Sequence, residues 1–215
     1  MNATFIGADI DSSKSLSNAL GLSSPVRIVP TTWTNITSDL LSGKFDIAVG
    51  GISITVQRAR SVFFSAPILR DGKTACFRCA DAAKFTDLAS IDVPGVTVIV
   101  NPGGTNEAFD RANLKAAKIV VAESNTVVYE RVLDGTADVM ISDGTEVELE
   151  VALRPGKLCG LKSGELFTFD QKAYMIRRDV PWKNFVDTWI DIQLGSGAWN
   201  ATMSKWMNYP WGEIE

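Results

Sequence analysis

The chain alternates between short apolar runs and stretches in which apolar residues recur at helical spacing. The helical spacing predicts helices over residues 11–20, 33–41, 105–114 and 125–133. The apolar runs predict strands over residues 26–29, 45–49, 96–100 and 119–121. This alternation of strand and helix predicts an α/β protein whose sheets are mainly parallel.

Two aromatic stretches lie near the C-terminal end of the sequence. Their large residues recur at intervals of three and four: Trp182, Phe185, Trp189 and Ile192, then Trp199, Met203, Trp206 and Met207. This spacing places each set on one face of a helix. We interpret the two stripes as packing surfaces rather than as a ligand cage.

One short pattern occurs twice. Leu41-Ser-Gly43-Lys-Phe-Asp46-Ile-Ala-Val matches Leu133-Asp-Gly135-Thr-Ala-Asp138-Val-Met-Ile. In both copies the pattern predicts a helix that ends at glycine, followed by aspartate and a buried strand. Two copies suit two similar α/β lobes, and chance similarity of two helix–strand units is the alternative.

Polar, turn-forming residues follow three of the predicted strands, where open α/β sheets bind ligands. The three groups are Ser53 with Arg58, the turn from Asn101 to Asn106, and the run from Ser142 to Glu146. An arginine can hold a carboxylate through two hydrogen bonds. The two glycines of the second turn allow a ligand to approach the backbone, and Thr105 can cap the helix that follows. Simple solvation or turn formation is the alternative for each group.

Acidic residues cluster at the third of these positions. Asp143 could bind an ammonium group or form a turn before Gly144. Two carboxyl groups at one site can raise the pKa of one of them and make it a general acid. We favour a solvated helix face for Glu148.

The overall composition narrows the chemistry further. The 215 residues carry a net charge of −4, which argues against nucleic acid as the main partner. The chain contains no histidine, so histidine-dependent triads and histidine-ligated metal sites are excluded. No apolar run is long enough to span a membrane, and the first residues do not have the pattern of a signal peptide.

The three cysteines are Cys76, Cys79 and Cys159. An odd number leaves at least one thiol unpaired, and no second pair completes a zinc site with Cys76 and Cys79. Buried or free thiols and a single Cys79–Cys159 disulfide both remain open from the residues alone.

Longer motifs carry a resemblance to a known family. The run from Phe45 to Arg58, Phe-Asp-Ile-Ala-Val-Gly-Gly-Ile-Ser-Ile-Thr-Val-Gln-Arg, resembles the family 3 periplasmic solute-binding proteins for polar amino acids. Within that group, Lys73, the turn Asn101-Pro-Gly-Gly-Thr-Asn-Glu107 and Asp143-x-x-Glu146 look like the cyclohexadienyl dehydratases. The resemblance covers nearly the whole chain, and the turn is its most specific stretch.

The resemblance implies two lobes, each a mainly parallel sheet flanked by helices. Residues 1–73 and 174–215 would form the first lobe and residues 74–173 the second, with crossings near 72–75 and 168–175. The first lobe would lack the family's usual N-terminal strand, and an exposed sheet edge there could pair with a second chain. The family also implies a periplasmic or extracellular location and favours the disulfide, which would leave Cys76 unpaired.

Site roles follow from the same resemblance. Ser53 and Arg58 would hold a substrate carboxylate, and Trp33 would line the ring. Thr105 and Asn106 would offer hydrogen-bond donors, and Asp143 would meet an α-ammonium group where the ligand has one. Lys73 and Asn101 would contact the polar end of the substrate.

The implied reaction converts prephenate or arogenate to phenylpyruvate or phenylalanine, with loss of carbon dioxide and water. Without histidine, proton transfer needs a group with a displaced pKa. Glu146 matches the expected general acid, and Lys73 is its nearest competitor. The reaction needs no metal or organic cofactor. A non-catalytic amino-acid-binding protein of an ABC importer is the alternative, and an inert paralogue is a third reading.

Overall fold

The computed structural model describes residues 5–211, which form two compact units. One unit comprises residues 5–70 and 171–210, and the other comprises residues 71–170 together with Trp211. The chain passes between the units at residues 70–71, 170–171 and 210–211. The predicted lobe boundaries, and the crossings as hinges, stay predictions.

The helices are α1 (Ala8–Ala19), α2 (Ile36–Leu41), α3 (Val56–Ala59), α4 (Leu88–Ile91), α5 (Gly104–Asn113), α6 (Val128–Leu133), α7 (Gly144–Leu153), α8 (Val180–Gly195) and α9 (Ala198–Met207). The strands are β1 (Ile47–Ala48), β2 (Phe63–Phe64), β3 (Leu69–Asp71), β4 (Lys73–Arg78), β5 (Thr97–Val100), β6 (Lys118–Val121), β7 (Val139–Asp143), β8 (Leu158–Gly160), β9 (Asp170–Lys172) and β10 (Met175–Ile176). Strands β3 and β9, which contain the first two of these points, form a two-stranded sheet.

The first unit contains a three-stranded sheet in the order β1-β10-β2. Both pairings are antiparallel, so the expectation of a mainly parallel sheet is wrong for this unit. The physical reason is that β10, which returns late in the sequence, lies between β1 and β2 and runs opposite to both. The sheet packs on a core that includes Leu40, Ile52 and Val62.

The predicted strand over residues 26–29 does not form among the described residues. Val26 and Arg27 are exposed and Ile28 and Val29 are partly buried, although the segment has the apolar composition of a strand. A strand requires a neighbour to pair with its backbone groups. The nearest sheet ends at β1, and a cleft of about 660 Å³ lies between β1 and residues 26–29.

The second unit is built on a five-stranded sheet in the order β6-β5-β7-β4-β8. The β5–β6 and β5–β7 pairs are parallel, whereas β4 is antiparallel to β7 and to β8. Successive residues of each strand face opposite sides of the sheet. Val98 and Ile141 therefore face one core, and Ile99 and Met140 face the other.

The repeated pattern forms the same local structure in both units. Helices α2 and α6 are followed by Gly43 and Gly135, with φ angles of 78° and 80°. Glycine is favoured at this position because other residues are strained at positive φ. Strands β1 and β7 begin a few residues later, as the pattern predicts.

The disulfide between Cys79 and Cys159 forms, with 4.9 Å between the two Cα atoms. It links the end of β4 to β8, which are neighbours in the sheet. Cys76 is the free cysteine, and its thiol is buried. Burial raises the pKa of that thiol to about 12, so it stays protonated.

The two aromatic stretches form α8 and α9. Trp189 and Trp199 pack in one core with Leu16 of α1 and Tyr174. Phe185 and Ile192 remain 38% and 61% exposed, so the packed face of α8 is narrower than the sequence stripe. Val186 and Ile190 supply the rest of that face.

Candidate functional site

A polar cluster lies at one edge of the five-stranded sheet. Strands β5 and β7 are parallel, so the residues that end them lie at the same edge. Strand β4 is antiparallel to β7, which brings its first residue, Lys73, directly opposite Asp143. Three segments that are far apart in the sequence thus contribute to one site.

Lys73 and Asp143 form an ion pair across the strands. The Lys73 Nζ atom lies 2.5 Å from Oδ1 of Asp143, and the two side chains are 2% and 16% exposed. Opposite charges that face each other in an antiparallel pair stabilise the register. The burial of both groups makes this pair more than a surface salt bridge, because solvent screens it little.

Helix α5 contributes two more oxygen atoms to the Lys73 ammonium group. Lys73 Nζ donates to Oγ1 of Thr105 at 3.0 Å and to Oδ1 of Asn106 at 2.5 Å. Asn106 donates from its Nδ2 to the side-chain oxygen of Asn101, 2.9 Å away. Both asparagines are buried.

Asn106 also connects Lys73 to Glu146. Its Nδ2 donates to the hydroxyl of Ser142 at 3.0 Å, and that hydroxyl donates to Oε2 of Glu146 at 2.5 Å. Ser142 is fully buried, and the buried hydroxyl of Tyr129 lies beside Ser142 and Glu146. The arrangement is a continuous polar network from Lys73 to Glu146.

The pKa of the Glu146 carboxyl is raised. Burial is the main cause, since it disfavours the charged form, and the nearby charge of Asp143 adds to it. The hydrogen bond from Ser142 and the positive charge of Lys73 act in the opposite direction without cancelling it. Glu146 therefore holds its proton to higher pH than an exposed glutamate does.

A second buried carboxyl group, that of Asp110, lies on α5 one turn after Asn106. Asp110 is 0% exposed, and neither of its oxygens makes a hydrogen bond within the described residues. Burial raises the pKa of Asp110 to about 8, although the charge of Lys73 lowers it. Asp110 is thus uncharged through most of the neutral range.

The other unit contains a separate polar group on the segment that follows β1. The buried Lys172 donates from its Nζ to the hydroxyl of Ser53 at 2.7 Å. Arg58 donates to the backbone oxygen of Ser53 at 3.0 Å, and its guanidinium lies 6.0 Å from the centre of the Trp33 ring. Thr55 accepts a hydrogen bond from the Arg58 backbone and so begins the short helix α3.

The structure brings the predicted site residues together in two sets. Six of them, Lys73, Asn101, Thr105, Asn106, Asp143 and Glu146, belong to the network of the second unit. Trp33, Ser53 and Arg58 are neighbours in the first unit. Each set is described within its own unit.

The structure differs from one local expectation, the Thr105 cap, and from one alternative, the Asp143 turn. Thr105 does not cap α5, which begins one residue earlier, and its hydroxyl accepts from Lys73 instead. Asp143 does not form a side-chain turn before Gly144, because Lys73 takes its carboxylate. Glu148 is exposed, as expected for a solvated helix face.

Sequence reasoning gave no role to Ser142, Lys172 or Asp110. Asp110 lies four residues after Asn106, and this spacing places both on one face of a helix. Lys172 stands beside the apolar run 173–176, which is an unusual place for a charge. Ser142 belongs to the polar group that follows its predicted strand, but its role depends on contacts with α5 and α7 that the sequence does not show.

The sequence profile of the bacterial extracellular solute-binding proteins, family 3, matches residues 1–209. The chain belongs to this family. The similarity to the solute-binding proteins that the motifs indicated is thereby confirmed.

The chain is also similar to the cyclohexadienyl dehydratase of Pseudomonas aeruginosa. It is 44% identical over 207 residues, which are 96% of this chain and 76% of the relative. The chain is also similar to the crystal structure of an ancestral amino acid-binding protein described as a precursor of cyclohexadienyl dehydratase, with 31% identity and a TM-score of 0.87 over 96% and 88% of the two chains. A variant of an ancestral cyclohexadienyl dehydratase shares 41% identity, with a TM-score of 0.54 over 96% and 85%.

These likenesses confirm the predicted α/β fold of the periplasmic-binding-protein type, with two lobes. The helix-flanked sheet of the second unit has the parallel β6-β5-β7 arrangement that the class predicts. No helix in residues 5–211 combines the length and apolar character that a membrane span requires.

Proposed function

We propose that the protein is an enzyme of the cyclohexadienyl dehydratase type, which converts prephenate to phenylpyruvate. The 44% identity to the Pseudomonas aeruginosa enzyme supports the reaction. The observation that carries the proposal is the Glu146 carboxyl, whose pKa is raised by burial and which accepts a 2.5 Å hydrogen bond from Ser142. A carboxyl group that keeps its proton to higher pH than an exposed one is suited to act as the general acid that the reaction requires.

The reaction is an elimination across the ring of prephenate. Glu146 donates its proton to the ring hydroxyl, and the carbon–oxygen bond breaks to release water. The bond from the opposite ring carbon to its carboxylate also breaks, and carbon dioxide leaves. The electron pair from that bond completes the aromatic ring, and solvent returns a proton to Glu146. The driving force lies in the substrate, so the protein must mainly orient it and supply the proton.

The remaining site residues have binding roles in this proposal. Arg58 is the candidate partner for a substrate carboxylate, with Ser53 beside it and Trp33 against the ring. In the second unit, Thr105 and Asn106 contact the substrate from the start of α5, next to the Lys73 ammonium. Asn101 holds Asn106 in place through a 2.9 Å hydrogen bond. The buried Lys172 orients Ser53, because its Nζ donates a 2.7 Å hydrogen bond to the Ser53 hydroxyl.

Incubation of the purified protein with prephenate tests the proposal. We expect phenylpyruvate to accumulate in proportion to enzyme concentration, as measured by chromatography. The Glu146→Gln variant is the matched control, since it keeps the size of the side chain and removes the acid. No turnover by protein whose circular dichroism shows an intact fold would overturn the proposal.

A second candidate is a non-catalytic binding protein for an amino acid. The observation in its favour is the TM-score of 0.87 with the ancestral amino acid-binding protein. Thermal-shift measurements with the common amino acids separate the two functions. Stabilisation by an amino acid, without product from prephenate, would favour the binding protein.

We also propose that the protein works in the periplasm or outside the cell. The family description supports this location, and so does the Cys79–Cys159 bond, because disulfides persist in oxidising compartments. Thiol titration of protein taken from the periplasmic fraction is expected to find one free thiol in the unfolded chain. Three free thiols there would contradict the proposal.

The free edge of β1 is the proposed site of pairing between two copies of the chain. Strand β1 pairs with β10 on one side, and the cleft of about 660 Å³ lies on its other side. Leu22 and Val26 line this cleft and are 57% and 37% exposed. An edge strand next to exposed apolar residues favours the addition of another strand.

Sedimentation velocity over a range of protein concentrations tests this pairing. We expect a dimer that weakens in the Val26→Lys variant, because the charge would have to enter the cleft. Val93→Lys is the control, since Val93 has a similar exposure of 38% but lies in the other unit. A monomer at every concentration would contradict the proposal.

A further inference from the structure

The hydroxyl of Tyr129 is a buried hydrogen-bond donor close to Glu146. Tyr129 lies on α6, is 5% exposed and packs in one core with Met140 of β7 and Val147 of α7. Ser142 stands two residues after Met140, so it faces the same side of the sheet. The Tyr129 hydroxyl lies beside Ser142 and Glu146, yet it makes no hydrogen bond of ordinary geometry within the described part of the chain.

A buried donor without an acceptor needs an explanation, because it costs free energy that a surface hydroxyl would recover from water. Most buried polar groups in folded proteins are paired, and the exceptions include groups with a catalytic role. Burial also holds the pKa of the Tyr129 hydroxyl well above its ordinary value. The hydroxyl therefore keeps its proton and remains able to donate it in a hydrogen bond.

The other strong donors around Glu146 are already engaged. Ser142 uses its hydroxyl proton on Oε2 of Glu146. Arg154 forms an ion pair with Glu150. A lysine ammonium has three N–H donors, and that of Lys73 directs them to acceptors elsewhere in the network, namely Thr105, Asn106 and Asp143.

Most of the charges that face Glu146 oppose its ionisation. Asp143, at the end of β7, and Glu150, four residues further along α7, both repel a negative charge on Glu146. Cys76 of β4 offers only a thiol, which is a weak donor. Lys73 is the cation that favours the ionised form. A carboxylate at Glu146 would thus gain from one more hydrogen bond.

We propose that Tyr129 is a positioning residue for the general acid, because its hydroxyl donates to the Glu146 carboxylate that forms as the proton leaves. This inference rests on the proposed function and adds a residue to it. The proton of Glu146 goes to the ring hydroxyl of the substrate, while Tyr129 keeps its own proton. Because the hydrogen bond forms as Glu146 ionises, it stabilises the transition state more than the ground state.

The titration of Glu146 tests this role without any turnover. Glutamate with an NMR-active carbon label in its side-chain carboxyl gives one signal for each glutamate, and the signal lost in Glu146→Gln identifies that residue. We expect its midpoint to rise by about one to two pH units in Tyr129→Phe, because the ionised form loses a charge-assisted hydrogen bond. An unchanged or lowered midpoint in the folded variant would overturn the proposal.

Two further proteins make the titration specific to this hydroxyl. Tyr174→Phe is the matched control, since Tyr174 also has a buried hydroxyl but belongs to the other unit, and it should leave the midpoint unchanged. Fluorotyrosine at position 129 keeps the ring and makes the hydroxyl a stronger donor, so it should lower the midpoint. A midpoint that rises with fluorotyrosine would contradict the proposal even if Tyr129→Phe failed to fold.

Steady-state kinetics with prephenate give a second measurement. In Tyr129→Phe we expect kcat at low pH to fall by about 3–10-fold, because the anion forms less readily, while the alkaline decline moves to higher pH. KM should change little, since Tyr129 acts through Glu146. A lower kcat with an unmoved decline would show that the hydroxyl has only a structural role.

The outcomes separate this inference from the proposed function. A raised NMR midpoint in Tyr129→Phe without prephenate turnover by the wild type would leave the link between Tyr129 and Glu146 intact and overturn the enzymatic proposal. Turnover with the same midpoint in both proteins would do the reverse.

Discussion

The hydroxyl of Ser142 donates a 2.5 Å hydrogen bond to Oε2 of Glu146, which lies four residues later in the sequence. Ser142 uses its only hydroxyl proton in this bond, and its oxygen accepts a hydrogen bond from Nδ2 of Asn106. The bond holds one carboxyl oxygen of Glu146 in place, and the Tyr129 hydroxyl lies beside the same carboxyl group. The Glu146 side chain thus has both a fixed orientation and a raised pKa.

Replacement of Glu146 by glutamine is expected to lower kcat by about 10²–10⁴-fold, because the amide is too weak an acid to protonate the ring hydroxyl. KM should change little, since the amide keeps the shape and the Ser142 contact. Steady-state kinetics with prephenate measure both quantities. Glu148→Gln, on the exposed face of the same helix, should keep the wild-type rate. Similar losses in the two variants would show that α7, rather than the Glu146 proton, matters.

The pH dependence of kcat should follow the same carboxyl group. A general acid is active in its protonated form, so kcat falls as pH rises through the pKa of Glu146. Burial raises that pKa above its ordinary value of 4.5, and the alkaline decline is therefore expected at a higher pH than for an exposed glutamate. A pH–rate profile of kcat measures this, and the residual activity of Glu146→Gln should lack the decline. A midpoint at or below 4.5 would contradict the assignment.

Much of the second unit could be predicted from the sequence because its strands have dense apolar patterns. The predicted strand over residues 96–100 and the helix after it were found within one residue of their expected ends as β5 and α5. In the first unit, residues 26–29 have a comparable pattern but form no strand among the described residues. The apolar pattern indicates which faces of a segment can be buried, whereas a strand also needs a neighbouring strand to pair with.

The sequence predicted which residues belong to the site better than it predicted which of them contact each other. The resemblance placed Lys73 and Asp143 in one site, but it assigned both of them to the ligand. Their ion pair depends on the register of β4 against β7, between residues 70 positions apart. Periodicity also cannot show strand direction, which is why the antiparallel insertion of β10 was missed.

The disulfide between Cys79 and Cys159 closes a loop over a sequence separation of 80 residues. Loss of this bond in a Cys79→Ser, Cys159→Ser double variant is expected to lower the free energy of unfolding by about 4 kcal/mol, because the unfolded chain regains freedom. Urea unfolding followed by circular dichroism measures the change. A reductant should destabilise the wild type and Cys76→Ala, yet leave the double variant unaffected. A wild-type protein that is indifferent to reductant while its thiols become accessible would contradict this.

The buried carboxyl of Asp110 should make stability depend on pH in the direction opposite to a paired aspartate. Its pKa is about 8 in the folded protein and near the ordinary 3.8 when unfolded. Between these limits the folded state holds a proton that the unfolded state has lost, so stability falls as pH rises. The slope for one such group is about 1.4 kcal/mol per pH unit.

Asp110→Asn removes this titration and keeps the size of the side chain. We expect the variant to gain stability relative to the wild type as pH is raised from 5 to about 8, and to gain little below pH 4. Thermal melts of both proteins over this range measure the difference. Asp134→Asn is the control, because Asp134 is exposed and its pKa is lowered rather than raised. A wild-type melting temperature that rises relative to Asp110→Asn over the same interval would show that Asp110 is charged in the folded protein.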